Sequence, residues 1–123
     1  MAGLVHAGWR GTHLGVVQNA VDLMAGAFLT HRDRIMAFLG PSIGPCCYRV
    51  GEDVAGRFES RFVQEGNLDL WSCNREQLIR SGVPAGRIGI SGLCTSCYNH
   101  YFFSHRAEKG RTGRQMAFLG WRR

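Results

Sequence analysis

The feature that most constrains this chain is the way its hydrophobic period changes along its length. From Thr12, the apolar residues Leu14, Val17, Val21, Met24 and Phe28 recur at helical steps, which predicts one buried helix with Thr12 available as its N-cap. The run RIMAFLG (34–40) is short, apolar and closed by Gly40-Pro41, as suits an interior strand. GPSIGPCCY (40–48) is broken repeatedly by glycine and proline and predicts a shaped loop. Val54, Phe58 and Phe62 mark the stripe of a second helix. NLDLWSCNREQLIRSG (67–82) alternates briefly at Leu68 and Leu70, then turns helical and stops at Gly82, with Pro84 just beyond. RIGIS (87–91) predicts a strand, and QMAFLGW (115–121), apolar on both alternating faces, predicts a strand covered on both sides. Helices and strands in this alternation predict an α+β fold of mixed α/β layers.

Composition bounds what such a fold can be. At 123 residues and 45% hydrophobic content, the chain has material for the core of one modest domain. It contains no apolar run long enough for a membrane span and no signal-peptide pattern at its start, so no membrane role and a cytoplasmic location are expected. Its 5 cysteines fall as adjacent Cys46 and Cys47, isolated Cys73, and the Cys94/Cys97 pair. That is not the layout of a secreted disulfide framework, and reduced thiols are expected. The net charge of +6 comes almost wholly from arginine, Lys109 being the single lysine. Arginine suits bidentate contact with phosphate or carboxylate, so the charge fits an anionic ligand and equally a solvated basic surface.

Three stretches carry chemistry. HAGWRGT (6–12) places His6 at the end of an apolar run, with Ala7 and Gly8 leaving space around it. Such an imidazole can ligate a metal, act as a general base, or simply bond a neighbouring backbone group. Trp9 reads as core, and Arg10 could pair an anion near the start of the following helix. CTSCYNHYFFSH (94–105) contains four residues of zinc-ligand type in Cys94, Cys97, His100 and His105. A finger needs a longer stretch between its two ligand pairs to fold back, so the spacing argues against a closed zinc site among these four. Cys46 and Cys47 read as packed thiols, since nothing near them in sequence would activate a nucleophile.

The series VHAGWRGT, FLGPSIGPCCYRVGEDV, LDLWSCNREQL, CTSC, FFSHR and GRTGRQMAFLGW closely resembles the YfiH/YlmD family. Its members are laccase-domain proteins, once called multicopper polyphenol oxidases and described as purine nucleoside phosphorylases. The resemblance covers the second half of the family protein. It implies that residues 1–123 are the C-terminal part of a single YfiH-like domain whose N-terminal strands are missing, through a truncated gene, a misplaced start or a split protein. It also implies an opening strand cut to a few residues, with one sheet neighbour absent and a tendency to self-associate.

The family's metal site is built from a histidine in a Gln-Val-His-Gly motif, a cysteine in a Thr-Ala-Asp-Cys motif and the histidine of HAGWRG. Only the last is present, as His6. The implied cofactor is zinc, with copper possible, and two of its three ligands are lacking here. The implied reaction is phosphorolysis of adenosine, inosine and methylthioadenosine, with adenosine deamination as a further activity. This chain is expected to be inactive alone and to need the missing half, supplied either by a separate chain or by a corrected start.

The resemblance implies a metal-ligating and catalytic role for His6. Because placing a phosphate calls for cationic groups, Arg10 is the catalytic arginine expected beside it, and Arg106 and Arg114 are expected to contact substrate, each of the three being readable equally as a surface or structural arginine. Ser104-His105-Arg106-Ala107 departs from the family's Ser-Tyr-Arg-Arg, which bears on specificity or rate if that segment touches substrate. A noncatalytic basic module binding nucleic acid or other anions is the alternative from composition, although nucleic acid is not the expected partner. Copper-dependent phenol oxidation has the weakest support, because the chain carries no multi-histidine cluster.

Overall fold

Residues 1–122 are described by a computed structural model. The helix expected from Thr12 is two helices, α1 (Trp9–His13) and α2 (Val16–Ala27). Gly15 separates them at φ +71°, a left-handed conformation that suits glycine, and its N–H closes α1 on the Thr12 carbonyl at 3.1 Å. Thr12 is therefore no N-cap: it lies inside α1 and is fully buried. The α2 stripe is also narrower than the sequence suggests. Val17, Val21 and Met24 pack with Ile35, Leu78 and Val83, while Leu14 and Phe28 face outward.

Strand β1 (Ala37–Leu39) begins later than expected, because residues 32–34 form a 3₁₀ turn first. It pairs in parallel with β4 (Ile88–Ile90), Ala37 opposite Ile88 and Leu39 opposite Ile90. Past β1 the chain forms the expected Gly/Pro loop and then α3 (Glu52–Ala55). The predicted second helix stops there. Val54, Phe58 and Phe62 are carried by α3, the loop after Gly56 and a further 3₁₀ turn, yet all three still pack on the cluster of Leu68, Leu70 and Cys73. Burial against that cluster, more than helical continuity, accounts for their apolar character.

A tight antiparallel hairpin follows, β2 (Val63–Gln64) against β3 (Asn67–Leu68). Its two turn residues, Glu65 and Gly66, both have positive φ, 50° and 82°, as a twist-matched hairpin turn requires. The central helix α4 (Leu70–Arg80) then starts at Asp69, whose carboxylate accepts from the Ser72 backbone N–H at 3.0 Å. It ends where Gly82, at φ +93°, turns the chain, with Val83 N–H bonded back to the Leu78 carbonyl at 3.1 Å. That stop is where the sequence places it. Leu70 and Cys73 of α4 belong to one apolar cluster and Leu78 to the other, so this helix joins the two halves of the core.

The expected strand at 115–121 does not form, and the opening residues before α1 carry no strand either. Met116, Phe118, Leu119 and Trp121, like Leu4 and Val5, are exposed. A strand is held by hydrogen bonds to a neighbour, and no described residue pairs with either segment. Helices and strands together give the α+β class expected. Among the described residues, no helix is long and apolar enough to cross a membrane.

Candidate functional site

Helix α4 shapes both loops in which the sequence concentrates its chemistry. In the opening turn, Asn74 Nδ2 donates to Thr12 Oγ1 at 3.1 Å and to the Leu70 carbonyl at 2.8 Å. Thr12 Oγ1 in turn reaches the Ala7 carbonyl at 3.3 Å, and Gln77 Nε2 donates to the Thr12 carbonyl at 2.7 Å. Buried polar groups in such a chain stabilise the fold only when paired, so these bonds fix the backbone between Ala7 and Thr12. The glycines fit the same geometry. A Cβ on Gly8 would stand 3.2 Å from His6 Nε2, and one on Gly11 would crowd Val16 and the His6 carbonyl.

The side chains that this turn presents divide by environment. Trp9 packs on the Leu68 cluster, as expected of a core residue. His6 and Arg10 are exposed. The Arg10 guanidinium lies 5.1 Å from the centre of the Trp9 ring and Arg57 lies 5.9 Å from it. Among the described residues, Arg10 has no carboxylate partner.

In the second loop, Trp71 Nε1 of α4 donates to Ser42 Oγ at 2.7 Å, and the Trp71 ring covers Gly44 so closely that a Cβ there would stand 2.7 Å from it. The path of β1 and β4 resumes beyond their ends as a parallel bridge between Ser42 and Cys94, with Thr95 N–H on the Ser42 carbonyl at 3.1 Å. These contacts bring the 40–48 loop against the 94–97 turn. Cys97 Sγ lies 3.5 Å from both Cys46 Sγ and Cys47 Sγ, and all four sulfurs of Cys46, Cys47, Cys94 and Cys97 lie within 4.8 Å of one another. Cys94 is buried, whereas Cys46 and Cys97 are exposed.

The thiols of this cluster differ in acidity. Burial pushes Cys94 up, but backbone N–H donors from Gly44, Cys97 and Ser96 outweigh it and bring the thiol down to about 7. Burial and thiol contacts led by Cys97 push Cys46 up to about 12. Contact with Cys47 is the leading cause that raises Cys97. Local sequence does not show this convergence, because it groups Cys94 and Cys97 with the nearby histidines and leaves Cys46 and Cys47 as packed thiols. The signal lay in position: each cysteine pair follows closely after one of the two strands that run parallel. Cys73 is a separate case, a buried thiol pushed up to about 12 mainly by desolvation.

Arg106 is tied down beside the second loop. It donates to the Arg49 carbonyl at 2.6 Å and lies 5.6 Å from the centre of the Tyr48 ring. Tyr48 and Trp9 pack on the same apolar cluster, so Arg106 and Arg10 sit on rings that share one core. Arg114 is exposed and bonds only its own neighbourhood, the carbonyls of Thr112 and Gly113 at 3.3 and 3.1 Å. Among the described residues, no hydrogen bond or ion pair joins His6, Arg10, Arg106 and Arg114 to one another. A cavity of about 130 Å³ lies elsewhere, between His13, Phe58, Glu76 and Arg80.

The family model for the multi-copper polyphenol oxidoreductase laccase matches residues 1–122. Purine nucleoside phosphorylase YlmD of Geobacillus stearothermophilus is 40% identical over 134 residues, covering 99% of this chain and 49% of that protein. A purine nucleoside phosphorylase of Bacteroides thetaiotaomicron is 34% identical, over 92% of this chain and 46% of its own length. The crystal structure of the Bacillus licheniformis hypothetical protein YfiH superposes with a TM-score of 0.82 at 39% identity, covering 89% of this chain and 45% of that one. The chain thus spans about half the length of these relatives. With a family model matched along its described length and a close fold likeness at this identity, the chain belongs to the YfiH/YlmD family of laccase-type multi-copper polyphenol oxidoreductases.

Proposed function

We propose that residues 1–123 are the C-terminal part of a single YfiH-like domain whose reaction is phosphorolysis of adenosine, inosine and methylthioadenosine in the cytoplasm. The observation that carries this reading is the 40% identity, over 99% of the chain, to a relative named purine nucleoside phosphorylase. A complementary chain supplying the other half is the partner it calls for.

In phosphorolysis a phosphate oxygen forms a bond to the anomeric carbon as the bond from that carbon to the base nitrogen breaks. The base leaves with the electron pair and takes up a proton, and ribose 1-phosphate, or 5-methylthioribose 1-phosphate from methylthioadenosine, remains. The demand on the protein is to hold a dianion in line with that carbon, a task for which guanidinium groups are suited. Arg10, steadied on Trp9, and Arg106, steadied by Tyr48 and the Arg49 carbonyl, meet it with charges already restrained. Arg114 is the third arginine of this assignment, less restrained than the other two.

Zinc, or copper, belongs to the completed domain in this reading, with His6 as the ligand from this chain. The residues present do not fit a complete site of that kind. The metal-capable group found among the described residues is the four-cysteine cluster, and His6 is outside it. Adenosine deamination is a further activity of the completed domain in this reading.

The test is an assay of phosphate-dependent base release from inosine, using this chain alone and after co-expression with the N-terminal half of the Geobacillus relative. The expected result is no turnover alone and turnover in the pair. In the pair, Arg106→Ala should raise the KM for phosphate and His6→Ala should abolish turnover. Base release that needs no phosphate, or a pair that stays inactive although it assembles, would overturn the reading.

A further inference from the structure

We propose that Cys46, Cys47, Cys94 and Cys97 form a closed tetrahedral site for one zinc ion, which pins the 40–48 loop to the 94–97 turn. The site is independent of the phosphorylase reading and of His6.

The geometry carries the assignment. Zinc–thiolate bonds of about 2.3 Å in a tetrahedron place neighbouring sulfurs about 3.8 Å apart. Here two sulfur pairs are 3.5 Å apart and every sulfur of the four lies within 4.8 Å of the others. That spacing fits one ion at the centre of the four, and is too tight for an inorganic cluster to sit between them. The donor set is thiolate only, which selects soft or borderline metals over magnesium or calcium. Four protein ligands also leave no open position for water or substrate, so the site is structural and not catalytic.

The surroundings are built in the same sense. Gly44 N–H donates to Cys94 Sγ at 3.2 Å, the kind of backbone support that orients a thiolate ligand. Gly44 is held by the Trp71 ring, and the Ser42–Cys94 bridge sets the register of the two loops. The cysteine pairs are thus brought together by backbone contacts that do not depend on the metal. Zinc entering the site would displace the remaining thiol protons to water, and no oxidant or reductant is needed. Tyr48 and Arg49 follow Cys47 directly and hold Arg106, so metal loss is expected to loosen that arginine as well.

The test is elemental analysis of the full chain purified under reducing conditions, as wild type, as His6→Ala and as the double variant Cys46→Ser/Cys97→Ser. Both altered cysteines are exposed, which limits the effect on packing. The expected result is close to one zinc per chain in wild type and His6→Ala, and almost none in the double variant. Because the double variant could misfold, cobalt is loaded into the wild-type chain as a second readout. Tetrahedral thiolate ligation gives intense visible absorption and a sulfur-to-cobalt charge-transfer band. Zinc that disappears with His6→Ala, iron in place of zinc, a cobalt spectrum lacking thiolate charge transfer, or a disulfide formed within the cluster under these conditions would each overturn the proposal.

Discussion

Replacing Asn74 with alanine should loosen the opening turn, and the size of the effect follows from its contacts. Its Nδ2 donates to Thr12 Oγ1 and to the Leu70 carbonyl, and both Asn74 and Thr12 are buried, at 5% and 0% exposure. Each such bond contributes about 1 kcal/mol net, and leaving a buried hydroxyl short of a partner adds to the loss, giving about 2–3 kcal/mol in all. For a chain of this size that corresponds to a Tm lowered by roughly 10 °C. Urea unfolding of wild type, Asn74→Ala, Thr12→Val and the double variant would measure it, with a coupling between the two sites of about 1 kcal/mol. A loss below about 0.5 kcal/mol, or strict additivity, would refute the view that α4 fixes this turn through Asn74.

Other consequences can be checked in the same preparations. Gly44→Ala drives a methyl group into the Trp71 ring, where its Cβ would stand at 2.7 Å, and should destabilise the chain by about 1–3 kcal/mol in urea. A midpoint equal to wild type would show that the 40–48 loop yields freely. On the surface, Arg61 is the leading cause that holds both Glu59 and Glu76 below the usual carboxylate range, with Arg80 adding to it. A carboxylate depressed on folding adds stability above its unfolded value, and that stability is lost as pH falls through the folded one. The difference in urea midpoint between wild type and Arg61→Gln should therefore hold steady near neutrality and shrink on acidification below about pH 4. A difference that grows as pH falls would contradict this sign.

Much of the scaffold was legible because periodicity reports which face is buried. Val17, Val21 and Met24 mark the inner face of α2, and the Gly82 stop of α4 was evident from its glycine and the proline after it. Gly15 was a readable break that the smooth stripe from Leu14 to Phe28 concealed. Phe58 and Phe62 misled in another way: an apolar spacing compatible with a helix is satisfied equally by irregular chain laid on the Leu68 cluster. The run at 115–121 shows the limit of reading strands one at a time, since Met116 and Phe118 satisfy the pattern but have no described neighbour to pair with.

The candidate residues legible in sequence are His6, Arg10, Arg106 and Arg114, but not the groups that position the chain around them. Asn74 and Gln77 were hidden among the polar residues of α4, although Asn74 shares the helix face of Leu70, Cys73 and Leu78. A polar residue on an apolar stripe is a readable sign of a buried hydrogen bond. The four-cysteine cluster could not be found by local spacing, because its two halves meet only through the parallel pairing of β1 with β4.

The most direct test of the functional account is the identity of the sugar product when inosine is turned over by this chain paired with the N-terminal half of a relative. Phosphorolysis predicts ribose 1-phosphate in equal amounts with hypoxanthine, both formed in proportion to the phosphate supplied until the enzyme saturates. Free ribose with hypoxanthine, formed at the same rate without phosphate, would contradict it.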